Sequence, residues 1–78
     1  MEIKIYVSDH CFSCREAIQY FFEKELNVKQ INVTYNQEGF KEMITLGGIA
    51  TPLIVIENQV FHTFERAKIE KVLEEKNE

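Results

Sequence analysis

The chain has 78 residues, 45% hydrophobic and 28% charged, with three glycines, one proline and a net charge of −4. This length predicts one domain over residues 1–78 with a modest core, and the composition excludes a disordered or low-complexity chain. The acidic balance, with no basic patch and no interleaving of aromatic and basic residues, argues against nucleic acid and anionic membrane as partners. Residues 1–7 mix Glu2 and Lys4 into a short apolar run, unlike a signal peptide or a membrane span. The expectation is therefore a cytoplasmic protein, working as a monomer.

In chain order, residues 2–7 alternate, with Ile3, Ile5 and Val7 on one side and Lys4 and Tyr6 on the other, which predicts a strand. A short loop, Ser8-Asp9-His10, follows. Cys14, Ala17, Ile18, Phe21, Phe22 and Leu26 then fall at helical spacing, predicting a helix from about Cys11 to about Asn27. Ile31 and Val33 alternate within a second strand over residues 29–34. Asn36 is placed to cap a second helix with Phe40, Met43 and Ile44 as its buried stripe, and Gly47-Gly48 to stop it. Leu53-Ile54-Val55-Ile56 is a continuous apolar run, as in a central strand buried on both faces. Glu57-Asn58-Gln59 offers a tight turn into a hairpin partner over residues 60–62. A last helix starts at Thr63 or Phe64, buries Ile69, Val72 and Leu73, and frays through Glu78. The order β-α-β-α-β-β-α implies a parallel first pair with a right-handed crossover, then an antiparallel hairpin. The fold class is α/β, a four-stranded mixed sheet covered by three helices.

Both cysteines lie in Cys11-Phe12-Ser13-Cys14. A bridge across two intervening residues removes little unfolded-state entropy, and the cytoplasm disfavours permanent disulfides. The pair therefore reads as redox-active. The thiolate is the nucleophile in disulfide exchange, and a helix N-terminus supplies the unpaired N–H groups and partial positive charge that favour it. Cys11 at the strand-to-helix junction is the expected attacking thiol. Cys14, one turn on along the same face, is expected to resolve the mixed disulfide. The competing reading is a zinc knuckle from Cys11, Cys14, His10 and His62, although a single CxxC lacks the second paired-ligand motif usual in structural zinc sites. His10 either assists the thiolate or is an exposed loop histidine. Asp9 is expected to face solvent, Arg15 and His62 to be surface residues, and Phe21, Phe22, Phe40 and Phe61 to be core.

Taken together, Cys11-Phe12-Ser13-Cys14-Arg15 after the first strand, Thr51-Pro52 before an apolar strand, and this element order at this length resemble the glutaredoxin-type members of the thioredoxin superfamily. The resemblance implies a thioredoxin fold and a protein disulfide oxidoreductase acting by dithiol exchange, with Cys11 and Cys14 catalytic. It implies no bound cofactor beyond a redox-active Cys11–Cys14 disulfide. It also implies a cis Thr51–Pro52 bond, with Thr51 offering backbone hydrogen bonds to a cysteinyl substrate, and a substrate-binding rim of Phe12, Ser13, Thr51 and Pro52. Glutaredoxins usually carry Cys-Pro-Tyr-Cys, and a Gly-Gly-x-Asp segment after the hairpin that helps hold glutathione. This chain has Phe12-Ser13 in the first and Val60-Phe61-His62-Thr63-Phe64-Glu65 in the second. Phe61 and Phe64 match the two aromatics of the aromatic-Ser-Gly-Phe stretch of NrdH-type redoxins, which take electrons from thioredoxin reductase, while His62 and Thr63 depart from its Ser and Gly. The expected donor is thus a thioredoxin-reductase-like flavoprotein or another dithiol protein rather than glutathione. The alternative is a non-catalytic metal- or partner-binding module of the same fold.

Overall fold

The computed structural model describes residues 1–76. Among them the chain forms β1 (Ile3–Val7), α1 (Phe12–Glu23), β2 (Lys29–Asn32), α2 (Gln37–Thr45), β3 (Leu53–Ile56), β4 (Gln59–Phe61) and α3 (Arg66–Lys76). The sheet order is β2-β1-β3-β4, with β1 parallel to β2 and antiparallel to β3, and β3 antiparallel to β4. The expected four-stranded mixed sheet is therefore present, with β1 and β3 at its centre. No helix among the described residues is long and apolar enough to cross a membrane. The expected fraying at the end of the last helix falls on Asn77 and Glu78, outside the described residues.

The alternation of β1 sorts the core into two layers. Ile3, Ile5 and Val7 face α1 and α3, burying Cys14, Ala17, Tyr20 and Phe21 of the first helix and Ile69, Val72 and Leu73 of the last against Ile54 and Ile56. On the opposite face Tyr6, Ile31, Leu53 and Met43 form a second, thinner cluster under α2. Leu53, Ile54 and Ile56 are fully buried, so the apolar run of β3 serves both layers.

The second helix follows its expected punctuation. Asn36 accepts from the Gly39 N–H at 2.8 Å, and Gly47 takes a positive φ of 89°. The Gly48 N–H then reaches the Met43 carbonyl and the Gly47 N–H the Ile44 carbonyl, both at 2.9 Å, which satisfies two helix-end acceptors. Its buried stripe departs from expectation. Gly39 and Met43 are the buried residues of α2, while Phe40 and Ile44 are about half exposed. The reason is a close approach: a Cβ placed on Gly39 lands on Ile31 Cγ2. The helix therefore rests on its Gly39–Met43 line, one turn apart, and Phe40 and Ile44 are each rotated one position off it.

The other departures are local. The first helix ends at Glu23 because Glu25 reverses the chain at φ 58°; the Leu26 N–H returns to the Phe21 carbonyl at 3.1 Å, so Leu26 packs on the core from beyond the helix. Phe22 points outward, 75% exposed, since the stripe through Ala17 and Phe21 leaves it a neighbouring face. The second strand stops at Asn32, whose side chain accepts from the Thr34 N–H at 2.9 Å and turns the backbone. Phe64 precedes α3, its ring 5.5 Å from that of Tyr20, so the last helix begins at Arg66. Tyr20 is buried, with the Arg66 guanidinium 5.1 Å and the Lys24 ammonium 5.5 Å from its ring centroid, which joins α1 to the start of α3.

Two outcomes follow for stability. Gly39→Ala gains about 1 kcal/mol of helix propensity, but drives a methyl into the branched, buried Ile31, an overpacking cost of about 1–3 kcal/mol. Because Ile31 has no flexible end there to move aside, a lowered thermal midpoint is expected, by roughly 4–8 °C for each kcal/mol lost. A midpoint equal to or above that of the parent would contradict this packing. Tyr6 donates to Glu42 Oε1 at 2.9 Å, and burial first, then this bond and the Glu42 charge, push its phenol up to about 12. A raised phenol holds its proton more tightly in the folded state. Its contribution is therefore complete below the ordinary value of 10.0 and is lost as pH rises through about 12. Thermal midpoints measured across that window should fall less steeply for Tyr6→Phe than for the parent; equal slopes would remove Tyr6 as the cause.

Candidate active site

Val7, at the end of β1, delivers the chain to a three-residue loop and then to Cys11, the N-cap of α1, in extended conformation at φ −106° and ψ 103°. Cys11 Sγ accepts from the Cys14 N–H at 3.2 Å, the position a serine or aspartate oxygen occupies in an ordinary cap. The Arg15 N–H closes the first turn on the Cys11 carbonyl at 3.3 Å. The two cysteines are joined by a disulfide with their Cα atoms 5.2 Å apart. Their surroundings differ. Cys14 is 2% exposed and belongs to the core under α1, whereas Cys11 is half-buried and only packs against that core.

Of the remaining expected site residues, Phe12 and Ser13 stand on the exposed side of the first turn, with Phe12 73% exposed. The Thr51–Pro52 bond is cis, Pro52 is buried and Thr51 half-buried. Ser8 Oγ and Thr51 Oγ1 lie 2.6 Å apart in a hydrogen bond. This bond ties the loop before Cys11 to the loop before β3, so the sequence-distant Thr51-Pro52 pair and the CxxC share one rim of the sheet. His10 is exposed and adopts a positive φ of 58°. His62 lies elsewhere: its Cε1 is 3.8 Å from where a Gly47 Cβ would stand, beyond the end of α2. Among the described residues, no group of three or more His, Cys, Asp or Glu side chains converges in a metal-binding arrangement.

Asp9 is exposed, as expected, and its polar groups are taken up by the β2 flank. Its backbone N–H donates to Thr34 Oγ1 at 3.0 Å, its Oδ1 accepts from Asn32 Nδ2 at 3.1 Å, and its Oδ2 accepts from the Tyr35 hydroxyl. The Tyr35 bond first, then the Asn32 bond, hold the Asp9 carboxyl below its ordinary range, with the His10 charge adding to them. The same carboxylate pushes the Tyr35 phenol up. Sequence reading assigned nothing to Asn32, Thr34 or Tyr35. The available signal was topological: in the parallel pair Val7 faces Asn32, so the loops leaving both strands emerge side by side.

Chemically, the arrangement presents one partly exposed sulfur to a helix N-terminus and keeps the other beneath it, within bonding reach. A thiolate at Cys11 would receive the Cys14 N–H and the field of α1; a thiolate at Cys14 would be buried among apolar groups, which disfavours the charge.

No family model matches the chain, and no curated protein matches it. Solved structures do. The thioredoxin-like protein BC3987 superposes with a TM-score of 0.87 at 17% identity, over 91% of this chain and 99% of that one. The NrdH-redoxin of Escherichia coli, described as a glutaredoxin-like protein with a thioredoxin-like activity profile, gives 0.83 at 19% identity, over 92% and 95%. The glutaredoxin of Archaeoglobus fulgidus gives 0.78 at 14%, over 92% and 85%. At these identities the likeness is one of fold, and with the element order and sheet topology it places the chain in the thioredoxin fold.

Proposed function

We propose that the protein is a thiol–disulfide oxidoreductase that reduces protein disulfides by dithiol exchange through Cys11 and Cys14. The observation that carries this reading is the asymmetry of the pair: Cys11, half-buried, caps α1 with its sulfur 3.2 Å from the Cys14 N–H, while Cys14 is 2% exposed. In the reduced protein the Cys11 thiolate attacks one sulfur of a substrate disulfide. A mixed disulfide forms, the substrate S–S bond breaks, and the departing substrate thiolate takes a proton. Cys14 then loses its proton and attacks Cys11 Sγ. The Cys11–Cys14 bond forms, the second substrate thiol leaves, and two electrons have passed from the dithiol to the substrate. Thr51 and Pro52, held to the loop by the Ser8–Thr51 bond, and the exposed Phe12 and Ser13 are the surface on which an extended substrate segment would lie.

The oxidised pair must be returned to the dithiol by an external reductant. The reading favours a thioredoxin-reductase-like flavoprotein, or another dithiol protein, over glutathione. Where glutaredoxins carry Gly-Gly-x-Asp, this chain has Phe64 packed on Tyr20 and Glu65 engaged with its own neighbours. Glu65 Oε1 accepts from the Thr63 hydroxyl at 3.2 Å and its Oε2 pairs with Lys68 at 3.2 Å. That leaves neither a glycine turn presenting N–H groups nor an aspartate to meet the glutathione amine.

One experiment separates this reading from a non-catalytic binding module and tests the donor. Insulin reduction is followed with the parent protein, supplied in turn with glutathione and with a thioredoxin reductase plus NADPH. Saturable turnover with the reductase, little with glutathione, and none for Cys11→Ser are expected; Cys14→Ser should accumulate a mixed disulfide at Cys11. Undiminished turnover in Cys11→Ser would overturn the mechanism, and fast saturable turnover with glutathione alone would overturn the donor assignment.

A further inference from the structure

The loop that carries Cys11 is held from both flanks. On the β3 side Ser8 is bonded to Thr51. On the β2 side Asp9 is bonded three times: by its N–H to Thr34, and by its two carboxylate oxygens to Asn32 and Tyr35. The second set is more than a brace, because it consumes both oxygens of an acidic side chain only two residues before the attacking thiol. A carboxylate free to swing there would oppose a thiolate at Cys11 by like-charge repulsion. We propose that Tyr35 and Asn32 are positioning residues for the Cys11 nucleophile: by capturing the Asp9 carboxylate on the β2 flank, they keep its charge away from the sulfur. The inference rests on the reading of Cys11 as the attacking thiol.

The geometry explains why the capture points away from Cys11. In the parallel β1–β2 pair, Val7 and Asn32 are register partners. Asn32 accepts the Thr34 N–H at 2.9 Å and its backbone carbonyl accepts the Tyr35 N–H at 3.3 Å. That turn fixes Asn32, Thr34 and Tyr35 as one unit beside Asp9. Cys11 instead turns toward the α1 and α3 layer, packing, as Phe64 does, against the core cluster that includes Cys14. The carboxyl of Asp9 is held ionised by the same two bonds, so the arrangement does not silence the acid by protonating it. Other charged or titratable side chains on these elements include His10 on the same loop, Arg15 and Glu16 in α1, Glu38 in the first turn of α2, and His62, Glu65 and Arg66 after β4. Residues 49–52, on the β3 flank, carry none.

The test measures the rate of Cys11 alkylation by neutral iodoacetamide against pH, for the reduced parent, Tyr35→Phe, Asp9→Asn and the double variant, each in a Cys14→Ser background. All four retain the other charges, which therefore cancel in the comparison. Tyr35→Phe frees Oδ2 and leaves the carboxylate on the single Asn32 bond, about which it can swing, and should lower the rate at neutral pH by up to roughly threefold, the effect of a unit charge about 7 Å away in water. Asp9→Asn has no charge to release and should stay within about twofold of the parent, and adding Tyr35→Phe to it should change nothing further. The Tyr35→Phe deficit should also shrink in 1 M salt, where the screening length is about 3 Å. A purely structural brace would give the same loss with and without the Asp9 charge, and a loss indifferent to salt; either result overturns the proposal, as does an unchanged rate in Tyr35→Phe. Peptide mapping of the first-modified cysteine in the protein with both thiols present tells the two readings apart. Modification at Cys14 first overturns the Cys11 assignment and the inference together, whereas modification at Cys11 with no Tyr35 effect overturns the inference alone.

Discussion

The bond from the Cys14 N–H to Cys11 Sγ is the contact on which the arrangement of the site depends. It makes a cysteine the N-cap of α1, so the residue that ends the loop also occupies the electropositive end of the helix. An oxygen-bearing cap would satisfy the same N–H with no redox consequence. A cysteine one residue later would lie inside the helix, with its own N–H pointing at the turn and its sulfur no longer receiving one. The cap therefore fixes both chemistry and register: it sets Cys14 one turn inward, and α1 then buries Cys14 together with Ala17, Tyr20 and Phe21 against β1 and β3.

Much of what steadies this cap comes from distant parts of the chain. The β1 strand is central, paired on both sides, so the point from which the loop departs is fixed by two neighbours. The loop then exchanges hydrogen bonds with the segment before β3 through Ser8 and with the turn after β2 through Asp9. His10, in the left-handed region, makes the last turn into the cap. An L-residue there carries a conformational cost that the surrounding bonds must over-determine. The sheet topology thus acts as a frame: parallel β1–β2 pairing places one supporting turn beside the loop, and antiparallel β1–β3 pairing brings Thr51 and Pro52 to the other side.

Much of this was legible from the sequence, for local reasons. Alternation in residues 2–7 and helical spacing from Cys14 to Phe21 are direct projections of burial onto sequence. Asn36 and Gly47-Gly48 mark the ends of α2 because capping is chemistry between a residue and its near neighbours. The hidden features are those decided by contacts between remote residues. Phe40 and Ile44 share the helical period of Met43, yet the approach of Gly39 to Ile31 selects another line of the helix for burial. Phe22 looked like core for the same reason. Asp9 gave no sign of its partners because Asn32 and Tyr35 become its neighbours only once Val7 and Asn32 are in register. Glu25, a residue with no turn signature, ends α1 by taking the left-handed conformation that glycine usually supplies.

The central claim is that position at the helix cap makes Cys11, and not Cys14, the thiol that ionises near neutral pH. Thiolate absorbance in the ultraviolet, followed against pH for reduced Cys14→Ser and reduced Cys11→Ser, measures each sulfur alone. The account predicts a midpoint for Cys11 clearly below the free-thiol value of about 8.5, and a midpoint for Cys14 at or above it. Equal midpoints, or the lower one at Cys14, would contradict it.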